Sequence, residues 1–205
     1  MSMLLLLAAV AAFQVPDLAK ANVTTDDYPR VAWNRDDQGV VGYSVLLTPD
    51  GKVERCEVTR SSGVANLDQA TCVYAFTRFK WQPARDMRGN PAYGLFRGFF
   101  TWQYPGQAHR PWPNAVNLEI SLAALPAAMK ASPSAMVGLV VNGNCEIEDC
   151  TVVKSSGVSQ LDGVACGEVA KAKVVSAPVD DAGKPLPSIQ TLQIGFVAPG
   201  TNHPN

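Results

Sequence analysis

The sequence predicts an α+β fold class of two tandem small domains, each a β-hairpin, a helix and a further antiparallel strand in β-β-α-β order. Three observations lead there. One cysteine-containing motif occurs twice, each copy alternates β-branched runs with turn signals, and each copy then carries one stretch at helical spacing.

The repeat is the firmest of the three. Cys56-Glu57-Val58-Thr59-Arg60-Ser61-Ser62-Gly63-Val64, then Leu67-Asp68 and Cys72, returns as Cys150-Thr151-Val152-Val153-Lys154-Ser155-Ser156-Gly157-Val158, then Leu161-Asp162 and Cys166. Every match lies 94 positions downstream, and the same offset carries Gly89 and Pro91 onto Gly183 and Pro185. The expected organisation is a signal peptide over 1–21, a first domain over 22–104, a linker over 105–113, a second domain over 114–199 and a tail over 200–205.

Residues 40–47 and 52–60 read as two strands joined by the turn Thr48-Pro49-Asp50-Gly51. In the second strand the apolar residues change parity between Val53 and Cys56, as they do between Ile147 and Cys150. A period-two strand changes face only by gaining a residue, so a β-bulge is expected in both copies. Asn66, with Gln69 three residues on, is the expected N-cap of a helix running to about residue 79, with Cys72, Ala75, Phe76 and Phe79 on its apolar face. Gln82-Pro83 should end it, and a loop over 86–91 should lead to an aromatic strand over 93–102. The second copy should repeat this from about residue 136 to 196, with Lys173 in place of Phe79 and a polar, Pro-rich linker over 107–113 before it.

Composition narrows the function classes. A chain of 205 residues that is 47% hydrophobic and 17% charged can bury its cores and is too apolar for a solvating disordered polymer. Seventeen Lys plus Arg against eighteen Asp plus Glu give no net field that favours nucleic acid, and no such partner is expected.

The first 13 residues carry no charged side chain and include the run Leu4 to Leu7, with Ala9-Val10-Ala11 or Ala19-Lys20-Ala21 as small-x-small cleavage patterns. A helix of about 13 residues rises roughly 20 Å, short of the roughly 30 Å hydrocarbon core of a bilayer. Export by a cleaved signal to the periplasm is expected. The alternative is an uncleaved inner-membrane anchor with the chain facing the periplasm.

In an exported chain five cysteines read as a disulfide framework with one left over. Cys56 falls on the core-facing part of a strand and Cys72 on the helix face that should cover it, and Cys150 and Cys166 hold the equivalent places. Each bridge would stabilise its copy by roughly 3 kcal/mol in the chain-entropy account. Cys145 sits at the hairpin turn, roughly 16 Å along an extended strand from Cys150, and is the odd thiol.

A catalytic reading finds little support. The histidines, His109 and His203, lie in the linker and the tail, so Ser61 and Ser62 have no base within either copy, and no Gly-x-Ser-x-Gly elbow is present. No enzymatic activity, metal or cofactor is expected. Turn chemistry accounts for the serines, and the helix dipole for Asp68 and Asp162 in the first helical turn.

Residues Tyr28-Pro29-Arg30-Val31-Ala32, Gly39-Val40-Val41-Gly42, Pro49-Asp50-Gly51-Lys52-Val53, Ser61-Ser62-Gly63, Leu67-Asp68 and Phe79-Lys80-Trp81-Gln82-Pro83-Ala84 resemble the TonB C-terminal domain. The resemblance covers 28–102 well and 112–197 more weakly, through Ser155-Ser156-Gly157, Leu161-Asp162 and Gly183-Lys184-Pro185. It implies a TonB C-terminal-like fold and a protein or peptide partner, with an outer-membrane receptor segment as the family's kind of partner. In that family the domain follows a membrane helix and a long Pro-rich spacer. No such spacer stands before Tyr28 here, so the binding half of the family's function is expected without its energy-transducing half. A TonB-type transducer, or its partner subunit, with an anchored N-terminus is the alternative. Trp33 stands where the best-known transducers carry a Gln that contacts receptors, which makes it a candidate contact residue.

Strand addition is the expected mode of capture. If the helix covers one sheet face, the last strand of the first copy becomes an edge with unpaired backbone groups. Tyr93, Leu95, Arg97, Phe99 and Thr101 alternate with Phe96 and Phe100 onto the opposite face, and part of this set should flank an added strand.

Overall fold

The computed structural model describes residues 13–104, 116–123 and 133–198. The first half contains β1 (Asp17–Ala21), a 3₁₀ turn (Thr25–Asp27), α1 (Arg30–Trp33), β2 (Gly39–Leu47), β3 (Val53–Arg60), α2 (Ala65–Thr77), β4 (Phe79–Gln82), β5 (Ala84–Arg85), β6 (Pro91–Ala92) and β7 (Gly94–Trp102). The second contains β8 (Leu118–Ser121), β9 (Ser134–Val141), β10 (Ile147–Lys154), α3 (Ser159–Ala172) and β11 (Ser188–Val197). The architecture is therefore α+β, and β2-β3-α2-β7 has the order of elements that β9-β10-α3-β11 repeats.

The hairpins form as their turns dictate. Gly51 takes a left-handed φ of 81°, and the Thr48 amide closes the turn on the Lys52 carbonyl at 2.9 Å. The parity change has the expected cause. Leu46 and Leu47 pair with Arg55 and Val53, which leaves Glu54 as the extra residue; Val140 and Val141 pair with Asp149 and Ile147, which leaves Glu148. Each bulge turns the following cysteine toward its helix. Cys56 bonds Cys72, and Cys150 bonds Cys166, with Cα separations of 5.5 and 5.8 Å; Cys145 is free and exposed.

Helix α2 departs from expectation at both ends. Its N-cap is Val64 rather than Asn66, because Asp68 folds back on the preceding loop: it accepts from the Ser61 hydroxyl at 2.5 Å, and from the Ser62 hydroxyl and amide at 2.7 and 2.8 Å. Asp162 makes the same bonds to Ser155 and Ser156. Ser-Ser-Gly and Leu-Asp thus form one loop-to-helix clasp in each copy.

The buried face of α2 is Leu67, Thr71 and Ala75, one residue in every four, while Phe76 is 54% exposed. Thr71 passes a hydrogen-bond chain through the core: its hydroxyl donates to the Leu67 carbonyl and accepts from the Trp102 indole, both at 2.9 Å. Phe79 leaves the helix altogether. It opens β4, which pairs antiparallel with β1 (Ala21 opposite Phe79, Asp17 opposite Gln82), and its ring packs with Tyr43, Trp81 and Phe100.

The strand β1 also shifts the expected N-terminal boundary. Asp17–Ala21 is part of the fold, and Phe13 is buried with Ala84 and Ile189, so the structured region begins by residue 13 rather than at 22. The leucine run and the Ala9-Val10-Ala11 pattern, the linker and the tail lie outside the described residues, whereas Ala19-Lys20-Ala21 lies within β1. No described helix is long and apolar enough to cross a membrane.

The two halves do not stay apart. Their strands join in a seven-stranded sheet ordered β10-β9-β11-β7-β2-β3, with β8 also on β11. The last strands of the two copies lie parallel and adjacent, Gly94 opposite Ile189 and Leu95 opposite Gln190. Side chains paired across a sheet share a face, so Gln190 lies on the face of Leu95. That face is opposite to Phe96 and α2, and Leu192, two residues on from Gln190, packs under α3. The two helices consequently cover opposite faces of one sheet.

Each face that a helix leaves open receives chain from the other half. Residues 174–179 overlie Leu46, Leu95 and Arg97 of the first half, and Val179 accepts at its carbonyl from Arg55 Nη2 at 3.0 Å. In return Phe13 and Val15 pack on Ile189 and Val140. Gly138 permits this approach, since a Cβ there would stand 2.5 Å from Val15 and 2.9 Å from Phe13.

Candidate partner-binding surface

β7 is not a free edge along its whole length. Tyr93 accepts the Ile189 amide at 2.9 Å, Leu95 pairs with Gln190, and the Arg97 amide donates to the Thr191 hydroxyl at 3.1 Å. Three of the five residues offered as candidates to flank an added strand are therefore engaged by β11. The reason is topological: a strand that is last in its own β-β-α-β unit can still be central in a sheet built from two units.

Beyond Arg97 the strands part. β11 takes β8 as its neighbour, Ile194 opposite Leu118 and Val197 opposite Ser121, while β7 continues to Trp102 with β2 as its only partner among the described strands. Backbone groups alternate along a strand, so those of Phe99 and Thr101 point the same way as Arg97, away from β2. No described strand pairs with residues 99–101 on that side.

A cavity flanks this stretch on each face. One of about 370 Å³ is lined by Thr59, Arg97, Phe99, Val116, Asn117 and Leu192. The other, of about 240 Å³, is lined by Val23, Thr25, Tyr28, Phe100, Thr101 and Trp102. An extended segment lying along residues 99–101 would meet the two cavities with alternate side chains.

Trp33 is 40% exposed on α1 and does not line either cavity. It caps an aromatic cluster in which Tyr28 and Tyr104 stack at 4.9 Å, with Trp33 edge-on to both. The Tyr104 hydroxyl fastens this cluster to α1 by donating to the Trp33 carbonyl at 2.6 Å. Trp33 thus braces the end of β7 instead of standing beside residues 99–101.

Sequence reasoning missed the contribution of Gln190 and Thr191 from the second half, and of Val116 and Asn117 before β8. A signal existed for the first pair: two adjacent polar residues, Gln190 and Thr191, sit in the β-strand run Ser188–Val197, and both are fully buried. Among the described residues no cluster of three metal-ligating side chains occurs.

A small α+β module with a half-covered strand edge and an aromatic brace is the class these features define. Residues 25–96 match the family model of the Gram-negative bacterial TonB protein C-terminal. Over 55 residues the chain is 40% identical to Protein TonB of Neisseria gonorrhoeae and 38% identical to Protein TonB of Neisseria meningitidis serogroup C. Each match covers 27% of this chain, and the chain spans only about a fifth of those relatives, 19% and 20% respectively. No solved structure gives a significant match. The first half therefore carries a region that matches the TonB C-terminal domain.

Proposed function

We propose that this chain is an exported periplasmic binding module that captures an extended segment of another protein, with a segment of an outer-membrane receptor as the favoured partner. Capture takes place by strand addition along residues 99–101. The observation that carries this reading is the side of β7 beyond Arg97 that no described strand pairs, between two cavities. Residues 114–199 act as a divergent second TonB-like unit whose last strand covers the first part of the same edge and leaves the rest to the partner.

Export is by a leader cleaved after Ala11. Cleavage at Ala21 would remove β1 and the buried Phe13, whereas cleavage after Ala11 leaves both. A second reading is favoured by the match to proteins named TonB. In it the chain is an energy transducer, or a partner subunit of one, and residues 1–12 stay in the inner membrane. The N-terminus of protein from the periplasmic fraction separates the two.

The test of strand addition is a photo-crosslinking side chain placed at Phe99 in cells. Adducts should map to an extended segment of one outer-membrane protein. Adducts at Val58 or Val153, on the outer strands of the sheet, with none at Phe99, would move the site to β3 or β10.

A further inference from the structure

We infer that the groove beneath residues 174–179 is a binding site for a carboxylate carried on an apolar body, the chemistry of a peptide's C-terminal residue or a free acyl amino acid. This site does not depend on strand addition and lies on the sheet face opposite α2.

The groove is a cavity of about 420 Å³ between the two halves, floored by Ser44, Leu46, Leu95 and Arg97 and roofed by the chain from Val174 to Val179. Its charges do not cancel. Arg55 and Glu57 are paired, Nε to Oε1 at 3.5 Å, which leaves Arg97 as the net positive charge of the lining. Arg97 has no carboxylate in ion-pair reach among the described residues.

The guanidinium is half satisfied. Both of its side-chain hydrogen bonds leave from Nη1, to Gln190 Oε1 at 2.9 Å and to the Thr191 carbonyl at 3.3 Å. Those bonds fix the plane of the group. The Nε and Nη2 edge has no acceptor among the described residues, and two parallel N–H groups are the geometry that takes a carboxylate bidentately. Burial with no nearby anion lowers the Arg97 pKa to about 10, as expected of a cation stripped of water and not compensated.

Charge and lining together set the ligand class. One net positive charge suits a monoanion better than a phosphate dianion. Leu46, Leu95, Val174, Pro178 and Val179 suit a branched apolar body.

The test is a ¹⁵N-resolved NMR titration of the full chain with N-acetyl-L-leucine and with acetyl-Ala-Ala-Leu, each against its C-terminal amide. Saturable shifts are expected at Leu95, Val174 and Ser176 with the acids, and at least tenfold weaker binding with the amides. A tighter tripeptide would assign a peptide C-terminus, and equal affinities a free acid. Arg97→Lys keeps the charge but loses the fork, and should bind at least fivefold more weakly. Equal shifts from acid and amide, which needs no variant, would overturn the site, as would unchanged binding by folded Arg97→Lys or no binding at all.

Discussion

The Arg97 amide and the Thr191 hydroxyl, 3.1 Å apart, form the last link between the two copies before their strands diverge. Thr191 is fully buried, so replacing it with Val keeps the shape and deletes the acceptor. The variant should lose about 1–2 kcal/mol, the cost of leaving one inward donor unmet. Urea unfolding would measure it. Amide exchange should quicken at Ile189 and Arg97 before it does in β2.

Cys145 occupies the hairpin position that Gly51 holds in the first copy, with φ at 64° against 81°. A left-handed residue with a Cβ costs roughly 1–2 kcal/mol relative to glycine. Against that, the sulfur accepts the Ala177 amide at 3.3 Å, a weak bond at an exposed site. Cys145→Gly should therefore raise the melting temperature by a few degrees and leave no titratable thiol in the oxidised protein.

Removing either disulfide should cost about 3 kcal/mol in the chain-entropy account, since each spans 16 positions. Replacing Cys56 and Cys72 together with Ser should destabilise the first half without disturbing the second bridge. Non-reducing peptide mapping is the check. A bridge from Cys145 to Cys150 would contradict both pairings.

Asp68 and Asp162 introduce an acid limit. Burial opposes their ionisation, but the hydroxyl and amide bonds from the paired serines outweigh it and hold both carboxyls below the ordinary value of 3.8. A carboxyl lowered in the folded state adds stability that is complete above its unfolded pKa and disappears as pH falls through the folded one. Stability should thus be flat near neutrality and fall below about pH 4. The Asp68→Asn, Asp162→Asn double variant should be less stable at pH 7 and show a shallower acid limb, as read by melting temperature against pH.

The repeat, the hairpins, the bulges and the cysteine pairs were legible because each is a local pattern. Parity within a strand reports its own bulge, and a left-handed turn reports itself through Gly51. The β1–β4 ribbon was not legible: Phe79 continues the helical spacing of Cys72 and Phe76, and nothing local says that Asp17–Ala21 will draw it into a strand. The apolar pattern of β7 is also the same whether its far side meets a partner, solvent or β11. Only the polar pair Gln190 and Thr191 marks the junction, and it lies almost a hundred residues downstream.

The most direct measurement is the affinity of the segment crosslinked at Phe99, prepared as a synthetic peptide, for the Thr101→Pro protein. Thr101 is exposed and its backbone donor points away from β2, so proline removes a donor from that side while the β2–β7 ladder keeps its bonds. The account predicts at least a tenfold loss of affinity in a protein that still melts cooperatively with both disulfides intact. Equal affinity of the folded variant and the parent would contradict strand addition along residues 99–101.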